Sequence, residues 1–203
     1  MAIEIRKVKA EDETALIDIC YITGDPKLKQ IFPDKQLFGM FWCLYYVWFE
    51  PENCFVAVDS ETNKVIGYIL STKDTEKQEK HFKSKMTQKI KARRKELHLQ
   101  TFRSRVYTYF IINKIHTRKR RLLYKNYPAH LHIDILPQYQ RKGIGHRLMQ
   151  TLEKHLESNN VIGYHLEVGV NNKLGISFYQ KYGLELYAKN HFDWIYVKKL
   201  KGN

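Results

Sequence analysis

Between Leu131 and Leu156 the spacing of apolar residues changes from two to four, and the change falls on Pro137-Gln138-Tyr139-Gln140-Arg141-Lys142-Gly143-Ile144-Gly145. Upstream, Leu131, Ile133 and Ile135 alternate with His130, His132 and Asp134, the period-2 signature of a strand, closed here by a proline. Downstream, Ile144, Leu148, Leu152 and Leu156 recur every four residues with Arg147, Glu153 and Lys154 between them, which predicts an amphipathic helix to about Ser158. The loop therefore joins a strand to a helix. Glycines at 143 and 145 let the main chain approach a ligand without a Cβ in the way, and the helix points its positive dipole end at the same spot. Such a cradle fits an anion, a diphosphate in particular.

Two nucleotide motifs are excluded. A P-loop needs Gly-x-x-x-x-Gly-Lys-Ser/Thr, and a dinucleotide site needs a third glycine where this chain has Leu148. Gln140-x-x-Gly143-x-Gly145 after a strand resembles instead the acetyl-coenzyme A signature of the GNAT superfamily of N-acetyltransferases. A second block follows in the same order: the strand-like Leu166-Glu167-Val168-Gly169-Val170, then Asn172 to Leu184. This block is similar to the family's Asn-x-x-Ala-x-x-Phe-Tyr-x-x-x-Gly-Phe segment, with Gly175 in place of the usual alanine and Leu184 in place of the phenylalanine. Tyr127 to Ile135 also resembles the fourth strand of acetyltransferase-like domains related to O-GlcNAcases.

The resemblance covers most of the chain outside 73–125 and implies an α/β GNAT fold. That fold is a central mixed sheet of about seven strands flanked by helices, with residues 1–203 as one acetyltransferase domain. It implies an enzyme that moves acetyl from acetyl-coenzyme A to a primary amine by direct attack. The amides from Arg141 to His146, including those of Lys142, Gly143, Ile144 and Gly145, would hold the diphosphate beside Gln140. Arg141 and Lys142 would be available for its charge. Main-chain groups of Ile133 and Ile135 would meet the pantetheine arm and thioester, with Asn172 near the arm. Tyr179 matches the family tyrosine that protonates the leaving thiolate.

The base is open, because the family's strand-four glutamate position holds Ala129. His132 and Asp134 are the candidates, with His130 beside them; the three share one face of a regular strand, whose parity a bulge would reverse, and Glu167 on the next strand is a weaker candidate. An already deprotonated amine would need no base. The alternative to an enzyme is a catalytically silent binding module of the same fold.

Elsewhere, Ile3 to Val8 alternates as a first strand rather than a secretory signal, and Asp12-Glu13 opens a helix that ends at Thr23-Gly24-Asp25-Pro26. One aromatic-rich helix is expected over Lys35 to Phe49, then a hairpin of Cys54–Val58 and Val65–Leu70. Strands Leu184–Lys189 and Phe192–Lys198 close the chain. With 203 residues, 43% of them hydrophobic, the chain is long enough for a full core. It contains no apolar run of the roughly 18 residues that a membrane span requires. Cys20, Cys43 and Cys54 lack metal-ligand spacing and read as reduced thiols, which fits a cytoplasmic protein, monomeric or homodimeric.

Of the net charge of +14, all resides in 73–125, which holds 18 Lys and Arg against 4 Asp and Glu. The family joins its third and fourth strands by a short turn, so 73–126 is expected to be a basic helical insertion. Three readings follow: a solvated helical hairpin beside the sheet, a dock for an acidic partner or substrate, and a nucleic-acid surface. No recognition motif accompanies the basic runs, which disfavours nucleic acid. A free polyamine acceptor is disfavoured by like charge, whereas an acidic or phosphate-bearing acceptor is favoured.

Overall fold

The computed structural model describes residues 2–99, 101–113 and 118–201, the side chain of Arg118 apart. The chain begins with β1 (Ile3–Lys7) and four helices, α1 (Glu13–Thr23), α2 (Pro26–Ile31), α3 (Lys35–Trp42) and α4 (Leu44–Phe49). The hairpin β2 (Phe55–Asp59) and β3 (Lys64–Thr72) follows, then α5 (Thr75–Glu96), α6 (Phe102–Ile112) and α7 (Arg118–Asn126). The second half runs β4 (Ala129–Ile135), α8 (Ile144–Ser158), β5 (Gly163–Gly169), α9 (Lys173–Tyr182), β6 (Glu185–Lys189) and β7 (Asp193–Lys199). All seven strands lie in one sheet of order β1-β2-β3-β4-β5-β7-β6. Every neighbour pair is antiparallel except β4 with β5, so the sheet is mixed as expected.

Each face of the sheet carries its own core. On one, α8 buries Ile144, Leu148, Leu152 and Leu156, the residues its four-residue spacing singled out, with α9 beside it. On the other, α1, α3, α4 and α5 pack over Val56, Val58, Tyr68 and Leu70.

Two local readings change. The helix expected over Lys35–Phe49 breaks at Cys43, whose φ of −130° leaves the helical region. Leu37, Phe38, Met40 and Phe41 are buried before the break, and Leu44, Tyr45, Tyr46 and Val47 after it. Apolar residues that dense cannot share one stripe of a straight helix, and the break turns the second set inward. After Gly24 the chain does not run as a simple turn but forms α2, capped by the Asp25 carboxylate on the Lys27 N–H (2.7 Å) with Pro26 in the first turn.

The three helices between β3 and β4 are docked rather than loosely appended. Gln78, Phe82, Met86, Ile90 and Arg94 of α5, each four residues from the last, form its buried face, while most of its lysines face water. Arg93 grips Asp34 through two nitrogens at 2.7 and 3.0 Å, and the Thr75 N–H and hydroxyl both donate to the Pro128 carbonyl. Among the described residues no helix is long and apolar enough to cross a membrane.

Met86 is fully buried, so Met86→Ala is expected to lower unfolding stability by about 2–5 kcal/mol in urea titrations. A loss under about 0.5 kcal/mol would mean that α5 is not part of the cooperative unit.

Candidate active site

The loop after β4 is held open at both ends. The Gln140 N–H bonds the Pro137 carbonyl and the Arg147 N–H bonds the Gly143 carbonyl, each at 3.2 Å. Between them, among the described residues, the six N–H groups of 141–146 find no main-chain acceptor. Arg141 (φ 60°) and Gly143 (φ 77°) are both left-handed. For Arg141 this conformation costs about 1–2 kcal/mol, a strain of the kind that collects at ligand sites. Gly143 is required by its backbone alone, because a Cβ there would meet nothing within 4 Å.

Gly145 sits against a tight neighbour: a Cβ there would lie 3.2 Å from the Phe178 ring and 3.5 Å from Ile135 Cδ1. Gln140 turns out to be a clasp, since its Nε2 donates to the Ile135 carbonyl at 2.9 Å and fastens the loop to the end of β4. The Ile144 side chain is in the core, which leaves its amide for the loop. Lys142 extends over the Tyr139 ring, His146 packs edge-on against Tyr182, and the Arg141 side chain is exposed.

β4 and β5 pair only at Ala129–Tyr164 and His130–His165. Beyond these residues the sheet forks. At the far end the Leu136 N–H bonds the Ile66 carbonyl of β3, and the β3–β4 register runs unbroken from there to His130. Antiparallel alternation then directs the main-chain groups of even-numbered residues at β3 and those of Ile133 and Ile135 into the fork. The Ile135 carbonyl is taken by Gln140; its N–H, and both main-chain groups of Ile133, face the opening.

The unbroken register also settles the parity question. With no bulge between β3 and β4, His130, His132 and Asp134 share the face opposite α8. Asp134 accepts a hydrogen bond from the Tyr68 hydroxyl at 2.6 Å. Burial pushes its carboxyl up to about 6, against the opposing pull of Tyr68. Tyr68 is a site residue that the sequence did not flag, and its register partner across the ladder is Asp134 itself. His132 packs on the rings of Tyr46 and His130. Both His130 nitrogens have hydrogen-bond partners, the Tyr46 and Thr75 hydroxyls, and Glu167 is ion-paired to Arg120 at 2.8 Å.

Tyr179 enters from the other face, on α9. It is nearly buried, and burial together with the charge of Asp134 raises its hydroxyl above the usual tyrosine range. The tyrosine and the carboxyl lie on opposite faces of the sheet. Asn172 caps α9, its Oδ1 accepting the Gly175 N–H at 2.9 Å. A Cβ at 175 would lie 2.8 Å from Asn172 Nδ2, so a larger residue there would require the Asn172 side chain to shift.

The family model for GNAT acetyltransferases matches residues 25–184. Solved structures agree over nearly the whole chain. The crystal structure of SsHAT superposes with a TM-score of 0.78 at 25% identity, covering 98% of each chain. PH1933 from Pyrococcus horikoshii OT3 gives 0.63 at 18% identity, covering 98% of this chain and 99% of that one. A paia N-acetyltransferase from Thermoplasma acidophilum, solved in complex with coenzyme A, gives 0.58 at 19%, with 98% and 99% covered. The chain belongs to the GNAT family of acetyltransferases, enzymes whose acyl donor is acetyl-coenzyme A.

Gly143→Val forces a β-branched residue into a left-handed turn and disturbs the six amides. Calorimetry is expected to show coenzyme A affinity at least about tenfold weaker, equivalent to about 1.4 kcal/mol. Undiminished affinity would remove the loop from the binding site.

Proposed function

We propose that this protein transfers acetyl from acetyl-coenzyme A to a primary amine by direct attack, with Asp134 as general base and Tyr179 as general acid. The observation that carries this reading is a half-buried carboxyl, held by the Tyr68 hydroxyl at 2.6 Å on one face of the fork, with Tyr179 entering from the other. The donor fits the residues present: a diphosphate matches six consecutive unpaired amides beside Arg141 and Lys142, and an extended amide-bearing arm matches the main-chain groups of Ile133 and Ile135. When bound, acetyl-coenzyme A supplies the acetyl group as a reactive thioester.

An amine is mostly protonated at neutral pH and must lose a proton before attack. Asp134, half-buried and on the face away from α8, accepts that proton, and its value near 6 suits transfer at neutral pH. Tyr68 holds the carboxylate in place through its hydrogen bond. His132, on the same face two residues back, carries the proton onward to water. Tyr179, kept protonated by its raised value, donates from its hydroxyl to the departing sulfur. Asn172 shapes the turn at the start of α9 and so sets the position of Tyr179. Three buried free cysteines suit a reducing compartment such as the cytoplasm.

A second role rests on α6. Its buried face holds Ser104 and Thr108, while Phe102 (81% exposed), Tyr109 (64%) and Phe110 (59%) face outward, with Arg103 and Arg105 also exposed on the same helix. This inverted helix fits docking of an acidic partner or an acidic protein acceptor.

Asp134→Asn is expected to lower kcat/KM by about 10²–10⁴-fold and to abolish the acidic limb near pH 6 in the rate profile. Its effect on stability runs the other way. A carboxyl raised in the folded state favours folding below its unfolded value and loses that contribution as pH rises through 6. At pH 8 the variant is therefore expected to be more stable in urea titrations, by at most about 3 kcal/mol. An unchanged pH profile would remove Asp134 from the base role. Tyr179→Phe is expected to reduce turnover with acetyl-coenzyme A affinity nearly unchanged; wild-type turnover would exclude it as the acid.

A further inference from the structure

Tyr196 of β7 is wholly buried, and its hydroxyl has no hydrogen-bond partner among the described residues. Leaving a buried hydroxyl unpaired is unfavourable, and such an atom in a folded protein calls for an explanation. Its position supplies one. Tyr196 is registered opposite Leu166, the first residue of β5 beyond the last β4–β5 pair, His130–His165. It therefore stands level with the apex of the fork, one strand over on β7. Its ring centroid is 6.0 Å from that of Tyr179, and both belong to the core under α8 and α9.

The direction of the fork fixes what reaches the apex. The anion cradle lies at the open end, after Ile135, and β4 runs back from it for about 13–16 Å to the apex. A donor with its diphosphate in the cradle and its arm along Ile133 has its acyl end beside Tyr179 and Tyr196. Tyr179 has been assigned to the sulfur, and Asp134 serves the amine from the opposite face. The acyl oxygen is the remaining polar atom at that end. We propose that the Tyr196 hydroxyl donates a hydrogen bond to the carbonyl oxygen of the bound thioester, adding a side-chain donor to the main-chain N–H groups of β4. The inference rests on acetyl-coenzyme A occupying the fork as described above.

Tyr196→Phe removes one oxygen and leaves the ring, so the test is a pair of binding measurements and a melting curve. Calorimetry on the wild type comes first, with acetyl-coenzyme A and with free coenzyme A. Failure of the wild type to bind either ligand would overturn the fork as a donor site and this inference with it. Given wild-type binding, the variant is expected to hold acetyl-coenzyme A about tenfold more weakly and free coenzyme A equally well, since only the former carries the acyl oxygen. The ligand-free variant is expected to melt no lower than the wild type, because no bond within the protein has been removed. Equal affinities for acetyl-coenzyme A, or the same loss for both ligands, would overturn the assignment while leaving the donor site intact. A markedly lower melting temperature without ligand would overturn it too, by showing that the hydroxyl had a partner inside the protein.

Discussion

The separation of β4 from β5 after two paired residues is the constraint on which the site depends. A parallel pair that continued would consume the main-chain groups of Ile133 and Ile135 in a ladder and bury the space between Asp134 and Tyr179. Because pairing stops, one strand edge opens inside an otherwise continuous sheet, a place where unpaired N–H and C=O groups would ordinarily be a liability. Here they face the fork, with α8 and α9 packed on one face of the sheet and α1 and α4 on the other. A donor and an acceptor can then approach the same point from opposite faces.

The loop after β4 complements this opening. Its six amides, which find no main-chain acceptor among the described residues, are set by two left-handed residues, a glycine that allows α8 to settle on Phe178, and the Gln140 clasp. Each is set by groups within the protein, so the cradle is formed before a ligand arrives and little ordering is left for binding to oppose.

What could be read from the sequence follows from how local the signal was. The switch of period across Gly143 placed a strand, a loop and a helix correctly, since each depends only on neighbours in the chain. The break at Cys43 was not legible, because consecutive apolar residues do not say which of them find a core. Strand parity was not legible either: a bulge leaves no residue signature, and only the unbroken pairing of β3 with β4 put Asp134 on the face of Tyr68. Tyr68 and Tyr196 escaped notice because their significance lies in register partners, Asp134 and Leu166, that are distant along the chain. Gln140 was found by motif, but its bond to Ile135 depends on a side-chain direction that no motif specifies.

A sheet that forks also has a weak seam. β1 to β4 form one leaf and β5 to β7 another, joined in the ladder by two residue pairs. Side chains stitch across instead. On one face Glu153 of α8 accepts from Tyr164 at 2.6 Å and Lys198 at 2.8 Å; on the other, Tyr124 of α7 stacks on His165 while donating to Glu79 of α5, and Arg120 holds Glu167. The basic segment, whatever it docks, is thus also a strap between the leaves. The spacing of the leaves is therefore held in part by α7, so that a pull on that helix acts on β5, one wall of the fork.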